Sequence, residues 1–238
     1  MVELEFPDFK MSEKAPYEVP PARPFTEFLI RGIKEVEKMY GPVFTIRFIK
    51  HALKFLAQKV GEEPPKNIEN LEQLAEYAIS KSEIYPTPYA MITYAQAKTE
   101  NEFQGHSGAG TTMEIVALSK DAAEGSNVKD KDKIYDMDDI ILKLSQFLMA
   151  MKYCPKQWGY RLNGDRSVDI VVPKCYLMDG CRMAYDENLL KRRDGKMRCG
   201  IIHFVCGYFK LATGYVWDYD FLEYCESHCV LRCSIHYR

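Results

Sequence analysis

The chain has 238 residues, 47% of them hydrophobic, enough to bury one large core or two small ones. Its 32 basic and 34 acidic residues leave a formal charge of −2, mixed along the chain, so it lacks the basic footprint that nucleic acid requires. The start MVELEFPDFK carries acids where a signal peptide needs an apolar run, and no stretch of about 18 apolar residues exists, so a cytoplasmic protein without a membrane span is expected.

Residues 1–24 contain Pro7, Pro16, Pro20, Pro21 and Pro24, which exclude a helix and predict an extended arm over the body or a partner. Thr26 can cap a first helix, in which Phe28, Leu29, Ile33, Val36 and Met39 recur at helical spacing until Gly41-Pro42. A second helix is expected from about Val43 to Val60, stopped at Gly61, with Phe44, Phe48, Leu53, Phe55 and Leu56 near one stripe. Residues 69–82 read as a third, more polar helix. The period then changes, and Tyr89–Ala97 and Thr111–Leu118 read as strands. The Gly-rich FQGHSGAG between them lacks the Lys-Ser/Thr ending of a phosphate loop and reads as a hairpin loop. Residues 121–135, rich in charge, read as a solvated connector.

After Asp136 comes a strongly apolar helix whose opening acids suit the positive end of its dipole. Ile140, Leu142, Leu144, Phe147, Leu148, Met149 and Met151 cover more than one face, which predicts burial at a domain or subunit contact. Strands at Tyr160–Leu162 and Val168–Val172 flank the Asn163-Gly164 turn. A short helix near Arg182–Lys191 follows, then one from about Met197 to Ala212 stopped by Gly214. Strands Tyr215–Tyr224 and Val230–Tyr237 come last. The expected divisions are an arm at 1–24, a helical and hairpin part at 25–135 and a final part at 136–238, the last two alternatively one continuous domain.

Seven of the eight cysteines lie between Cys175 and Cys233, and Cys225, Cys229 and Cys233 recur at every fourth residue. A metal site, a disulfide framework and a redox centre all fit such density. Reduced cytosolic thiols favour metal. Cys199, Cys225, Cys229, Cys233, His228 and His236 supply more than four donors, and zinc takes four in a tetrahedron. Cys175, Cys181 and Cys206 read as small buried hydrophobes. Cys225 and Cys233 are expected to flank the turn of the last hairpin, with Cys229 at its tip.

The run Cys181-Arg-Met-Ala-Tyr-Asp-Glu, the segment C-G-I-I-H-F-V-C-G-Y opening at Cys199, Gly214, and Cys225-x7-Cys233 together resemble the 4-vinyl-reductase-type, or hydrocarbon-binding, domain. The resemblance spans roughly residues 157–238. It implies an α+β fold shared with TRAPP trafficking subunits and haem nitric-oxide sensors: N-terminal helices on a twisted antiparallel sheet, with a terminal helix and hairpin clipped by metal. In metal-holding members a Cys opening the helix, a Glu before the hairpin and two hairpin Cys hold zinc. Carried over, Cys199, Cys225 and Cys233 match. The expected Glu falls on Leu222, with Glu223 the nearest carboxylate, and Cys229 replaces the turn glycine.

The leading expectation is therefore a binding or sensory module rather than an enzyme. A small hydrophobic molecule would be lined by Phe44, Phe48, Phe55, Phe147 and Met151, with a structural zinc held by Cys199, Cys225 and Cys233 and completed by Cys229 or Glu223. Its partners would be a second copy, in a homodimer through the N-terminal helices, and a regulatory protein. The alternatives are a zinc-dependent enzyme or reductase component acting on a vinyl or aromatic compound, and an adaptor resembling the trafficking subunits. No nucleotide-binding fingerprint supports the reductase.

Overall fold

The computed structural model describes residues 5–18, 20–70, 72–73, 76–77, 80, 98–99, 118–120, 122–126, 136–164, 166–189, 191 and 195–236. In chain order their named elements are β1 (Lys10–Met11), α1 (Ala22–Tyr40), α2 (Pro42–Val60), α3 (Met137–Ala150), β2 (Gly159–Leu162), β3 (Ser167–Pro173), α4 (Met178–Asp186), α5 (Gly200–Thr213), β4 (Trp217–Tyr224) and β5 (His228–Ile235). The α+β class with an antiparallel sheet is as expected. The strand read at Tyr89–Ala97, that read at Thr111–Leu118 as far as Ala117, and the loop between them lie outside the described residues; of the third helix, residues 72–73, 76–77 and 80 are described and helical.

The chain forms two compact units, one of Met1–Pro20, Ser119–Cys175 and Ile201–Arg238, the other of Pro21–Leu118 and Tyr176–Gly200. The second unit contains α1, α2 and α4. Helix α1 begins after Pro21 instead of at Thr26, because proline's fixed φ already suits a helix entrance. It ends at Gly41, whose φ of 80° excludes most side chains, and Pro42 opens α2 where no backbone donor is needed. Thr45, buried, donates its hydroxyl to Gly41 O at 3.0 Å. Leu53 of α2 packs with Ile68, Ile33, Ile49 and Tyr77, and Phe55 is also buried, while Phe44 and Phe48 are half-buried. Helix α4 lies earlier than the sequence suggests and buries Ala184 against Met183, Leu189 and Met197.

The first unit is built on a five-stranded open sheet ordered β1-β2-β3-β5-β4, antiparallel throughout. Alternation along strands gives it two faces. On the inner face lie Tyr160, Val168, Ile170, Val172, Cys229, Leu231, Cys233, Tyr219 and Trp217, paired across the ladders. Helix α5 covers this face: Phe209 packs edge-on against Trp217 at 5.1 Å, and Trp217 Nε1 donates to Thr213 Oγ1 at 2.9 Å. Tyr208, Phe209, Ile202, Ile141 and Leu144 are fully buried between the helices and the sheet. Each such side chain contributes about 1.5–3 kcal/mol by leaving water.

Residues 118–120 and 122–125 are helical, which corrects the strand ending at Leu118 and the solvated connector beginning at 121. Ala122 and Ala123 are buried, and Ser119 donates its hydroxyl to Phe204 O at 3.0 Å. Gly207 of α5 permits this approach, since a Cβ there would collide with Ser119 Oγ.

The Pro-rich arm contributes β1, a strand that its proline pattern does not predict. Ser12 N donates to Trp158 O and Ala15 N to Lys156 O, both at 2.7 Å, and Met11 fills the space over Gly159. Lys10 bonds Asp138 at 3.1 Å beside the Tyr160 hydroxyl, which bonds the same carboxylate.

Candidate metal centre

The site lies on the outer face of the sheet, at the β4–β5 turn. Strand β4 carries a bulge: Phe221 pairs Leu231 and Glu223 pairs Val230, leaving Leu222 unmatched. The extra residue reverses the parity of the residues after it. Phe221 faces inward with Leu231, whereas Glu223 faces outward with Val230, and Cys225 comes two residues later. Cys225 N donates to His228 O at 3.1 Å, closing the turn over Glu226 and Ser227 and placing His228 beside Cys225.

Three donors consequently converge. Cys225 Sγ lies 3.2 Å from His228 Nδ1 and 4.0 Å from Nε2, and Glu223 Oε1 lies 3.2 Å from Nε2. A ligand atom from each of the three residues falls within 4.8 Å of the others. Ser227 Oγ lies 3.2 Å from the sulfur and 3.0 Å from Nδ1, and Cys225 Sγ donates to His228 O at 3.3 Å. The Ser227 hydroxyl, helped by backbone donors at Ser227 and His228, lowers the Cys225 thiol below its usual range, against burial and the charge of Glu223. A thiol so lowered more readily gives the thiolate that binds metal.

The donor set fits zinc. With Zn–S near 2.3 Å and Zn–N or Zn–O near 2.0–2.1 Å, a tetrahedron spaces sulfur and nitrogen by about 3.6 Å and nitrogen and oxygen by about 3.3 Å. Measured from the one nitrogen that both partners approach, Nε2, the separations are 4.0 Å to the sulfur and 3.2 Å to the carboxylate, within about 0.4 Å of these values. The His228 side chain is 12% exposed and that of Glu223 54%, so one side of the trio is open to solvent.

The structure does not bring Cys229 or Cys233 to Cys225. Cys225 and Cys233 do not flank the turn: Cys233 pairs Tyr219, most of a strand away, and Cys229 pairs Tyr224 within β5 instead of forming a tip. Both are buried on the inner face, against α5 and away from Cys225. Cys199 immediately precedes α5 and belongs to the second unit. None of the eight cysteines is joined in a disulfide. Of the apolar candidates, Phe44 and Phe48 stack at 6.2 Å along α2 and Phe55 is buried, all in the second unit. Phe147 packs on Gly125 and Met151 caps α3, both in the first unit.

His228 is among the donors that the sequence offers, but the resemblance gives it no place in the ligand set. Its signal is Glu-x-Cys-x2-His, a cysteine and a histidine bracketing a two-residue turn. Comparison of the chain with protein-family models, curated proteins and solved structures gave no match in any of the three. The functional reading therefore rests on this geometry.

Proposed function

We propose that the protein is a zinc-dependent binding module whose ion is held by Glu223, Cys225 and His228, with the fourth position open to a small ligand or water. The convergence of a lowered thiol, an imidazole and a carboxylate on one sheet face carries the reading. Two anionic donors and one neutral one balance the charge of Zn²⁺, and three protein ligands with an open position are the arrangement of a reactive centre, as the zinc-enzyme alternative requires, rather than of a closed structural staple. The hairpin remains the metal's platform, as the sequence suggests, but the ion joins the two strands at their turn. A sensory role fits this placement, because occupation of the open position alters the turn that links the edge strand β4 to β5.

The small hydrophobic ligand and the kinship with the 4-vinyl-reductase-type domain are retained as a proposal on the sequence resemblance. Among the described residues no helix is long and apolar enough to cross a membrane. The test is elemental analysis of protein purified without chelator, followed by cobalt substitution. One ion per chain with a thiolate-to-cobalt charge-transfer band is expected, abolished in Cys225→Ser and His228→Ala and retained in Cys233→Ser. No metal, or loss of metal only in Cys233→Ser, refutes the assignment.

A further inference from the structure

We propose that Phe6 is a positioning residue of the metal centre, carried to it by a strap of residues 5–9; the proposal rests on the metal reading above. From β1 the chain runs back over the outer sheet face. Phe9 lies against the Arg161 guanidinium, 4.9 Å from ring centre to carbon, and Asp8 comes within 3.8 Å of the same group. Phe9 N donates to Phe6 O at 3.0 Å, so the strap turns. The turn brings the Phe6 ring to 6.2 Å from Phe9 and to 5.0 Å from the imidazole of His228, inclined at 66°. Behind it, β1 and the Lys10–Asp138 pair fasten the arm to the sheet and to α3.

His228 is thus gripped in two ways. Its nitrogens face Cys225, Ser227 and Glu223, and its ring is held by Phe6. A ring already fixed in the ligating orientation loses less freedom when the ion binds. The coupling is reciprocal, so the metal tightens the strap and the strap tightens the metal, by the same factor in each direction.

The experiment uses the full chain and zinc alone. Zinc dissociation constants are measured by competition with a chromogenic chelator for the wild type, Phe6→Ala, Phe6→Leu and Phe6→Tyr, with thermal melts of the metal-free proteins as a folding control. Phe6→Ala is expected to weaken zinc about 2- to 12-fold, the scale of one aromatic pair, and to change the cobalt d–d envelope at saturation; Phe6→Tyr restores both and Phe6→Leu does not. Hydrogen exchange at the Phe9 amide should slow on zinc addition in the wild type and not in Phe6→Ala. Wild-type zinc affinity in Phe6→Ala, full rescue by leucine, or Phe9 exchange indifferent to zinc overturns the proposal while leaving the metal site standing. A wild type that binds no zinc overturns both.

Discussion

Substituting Asp169 by Asn tests the lock that ties the central strand β3 to β5, the strand carrying His228. The Asp169 side chain is 0% exposed on the outer face, between Arg232, with bonds of 2.7 and 2.9 Å, and Arg161, with one of 2.9 Å. Burial alone would raise its pKa, but the bonds from Arg232 and Arg161 outweigh it and lower the value from 3.8 to about 2. A group with a depressed folded value stabilises fully above its unfolded value and loses that contribution as pH falls through the folded one. The shift is worth about 2 kcal/mol at neutral pH and about half that near pH 3. The arginine side chains are 39% and 44% exposed, so water takes up their charges once the carboxylate is gone, and the loss stays below that of a fully buried pair. The asparagine side chain keeps the shape and one acceptor. Urea unfolding followed by tryptophan fluorescence is the assay, since Trp158 and Trp217 both belong to the sheet unit and are the only tryptophans. Asp169→Asn should be less stable than wild type by about 2 kcal/mol at pH 7, with the gap narrowing between about pH 4 and pH 3. An equal gap at all three pH values would show that shape, not charge, sets the contribution. No gap at pH 7 would refute the lock.

Three further perturbations probe the bulge and the packing of α5. Deleting Leu222 removes the bulge but leaves Phe221 opposite Leu231 and Glu223 opposite Val230, so Glu223 and Cys225 keep their outward direction and zinc binding should persist in the metal assay; lost zinc with the sheet circular dichroism intact would mean that the parity argument is wrong. Gly207→Ala drives a Cβ onto Ser119 Oγ and should lower stability by about 1–3 kcal/mol in a thermal melt, whereas Gly164→Ala, where no atom lies within 4 Å, meets only the strain of its φ of 67°. Thr213→Val leaves Trp217 Nε1 without its acceptor and should destabilise by about 1–3 kcal/mol while shifting the tryptophan emission; an unchanged melt would show the bond to be dispensable.

What the sequence discloses depends on how local the cause is. Gly41-Pro42, Gly61, Asp136, Gly214 and Asn163-Gly164 act on their own backbones, and the elements they bound appear within a few residues of the expected ends. Strand β1 has two residues between prolines, too short for alternation, and exists only because the edge of β2 accepts it. The insertion of β5 between β3 and β4 is equally non-local. Ala122 and Ala123 read as part of a charged connector because the groove that buries them depends on Gly207, far along the chain. The last turn lies before Cys229 rather than at it, and it escapes notice because Glu226-Ser227 carries neither the glycine nor the asparagine that marks a tight turn.

The same displacement explains why cysteine density is a poor guide to the ligands. Within β5, Cys229 and Cys233 are four apart and therefore on one face, the face that α5 covers, where a thiol serves as a small apolar side chain. Cys225 lies beyond the bulge, at the end of the other strand, and its outward direction is settled by the register past Leu222, a residue with no ligating atom. Glu223 is usable for the same reason: one position earlier, where the resemblance expects the carboxylate, stands the unmatched residue itself. Ligand identity is thus written in Glu223, Cys225 and His228, but ligand direction is written in the register between them. That register also aims the trio at the face over which Phe6, Asp8 and Phe9 are laid. Spacing in sequence counts donors; parity along paired strands decides which of them can meet around one ion.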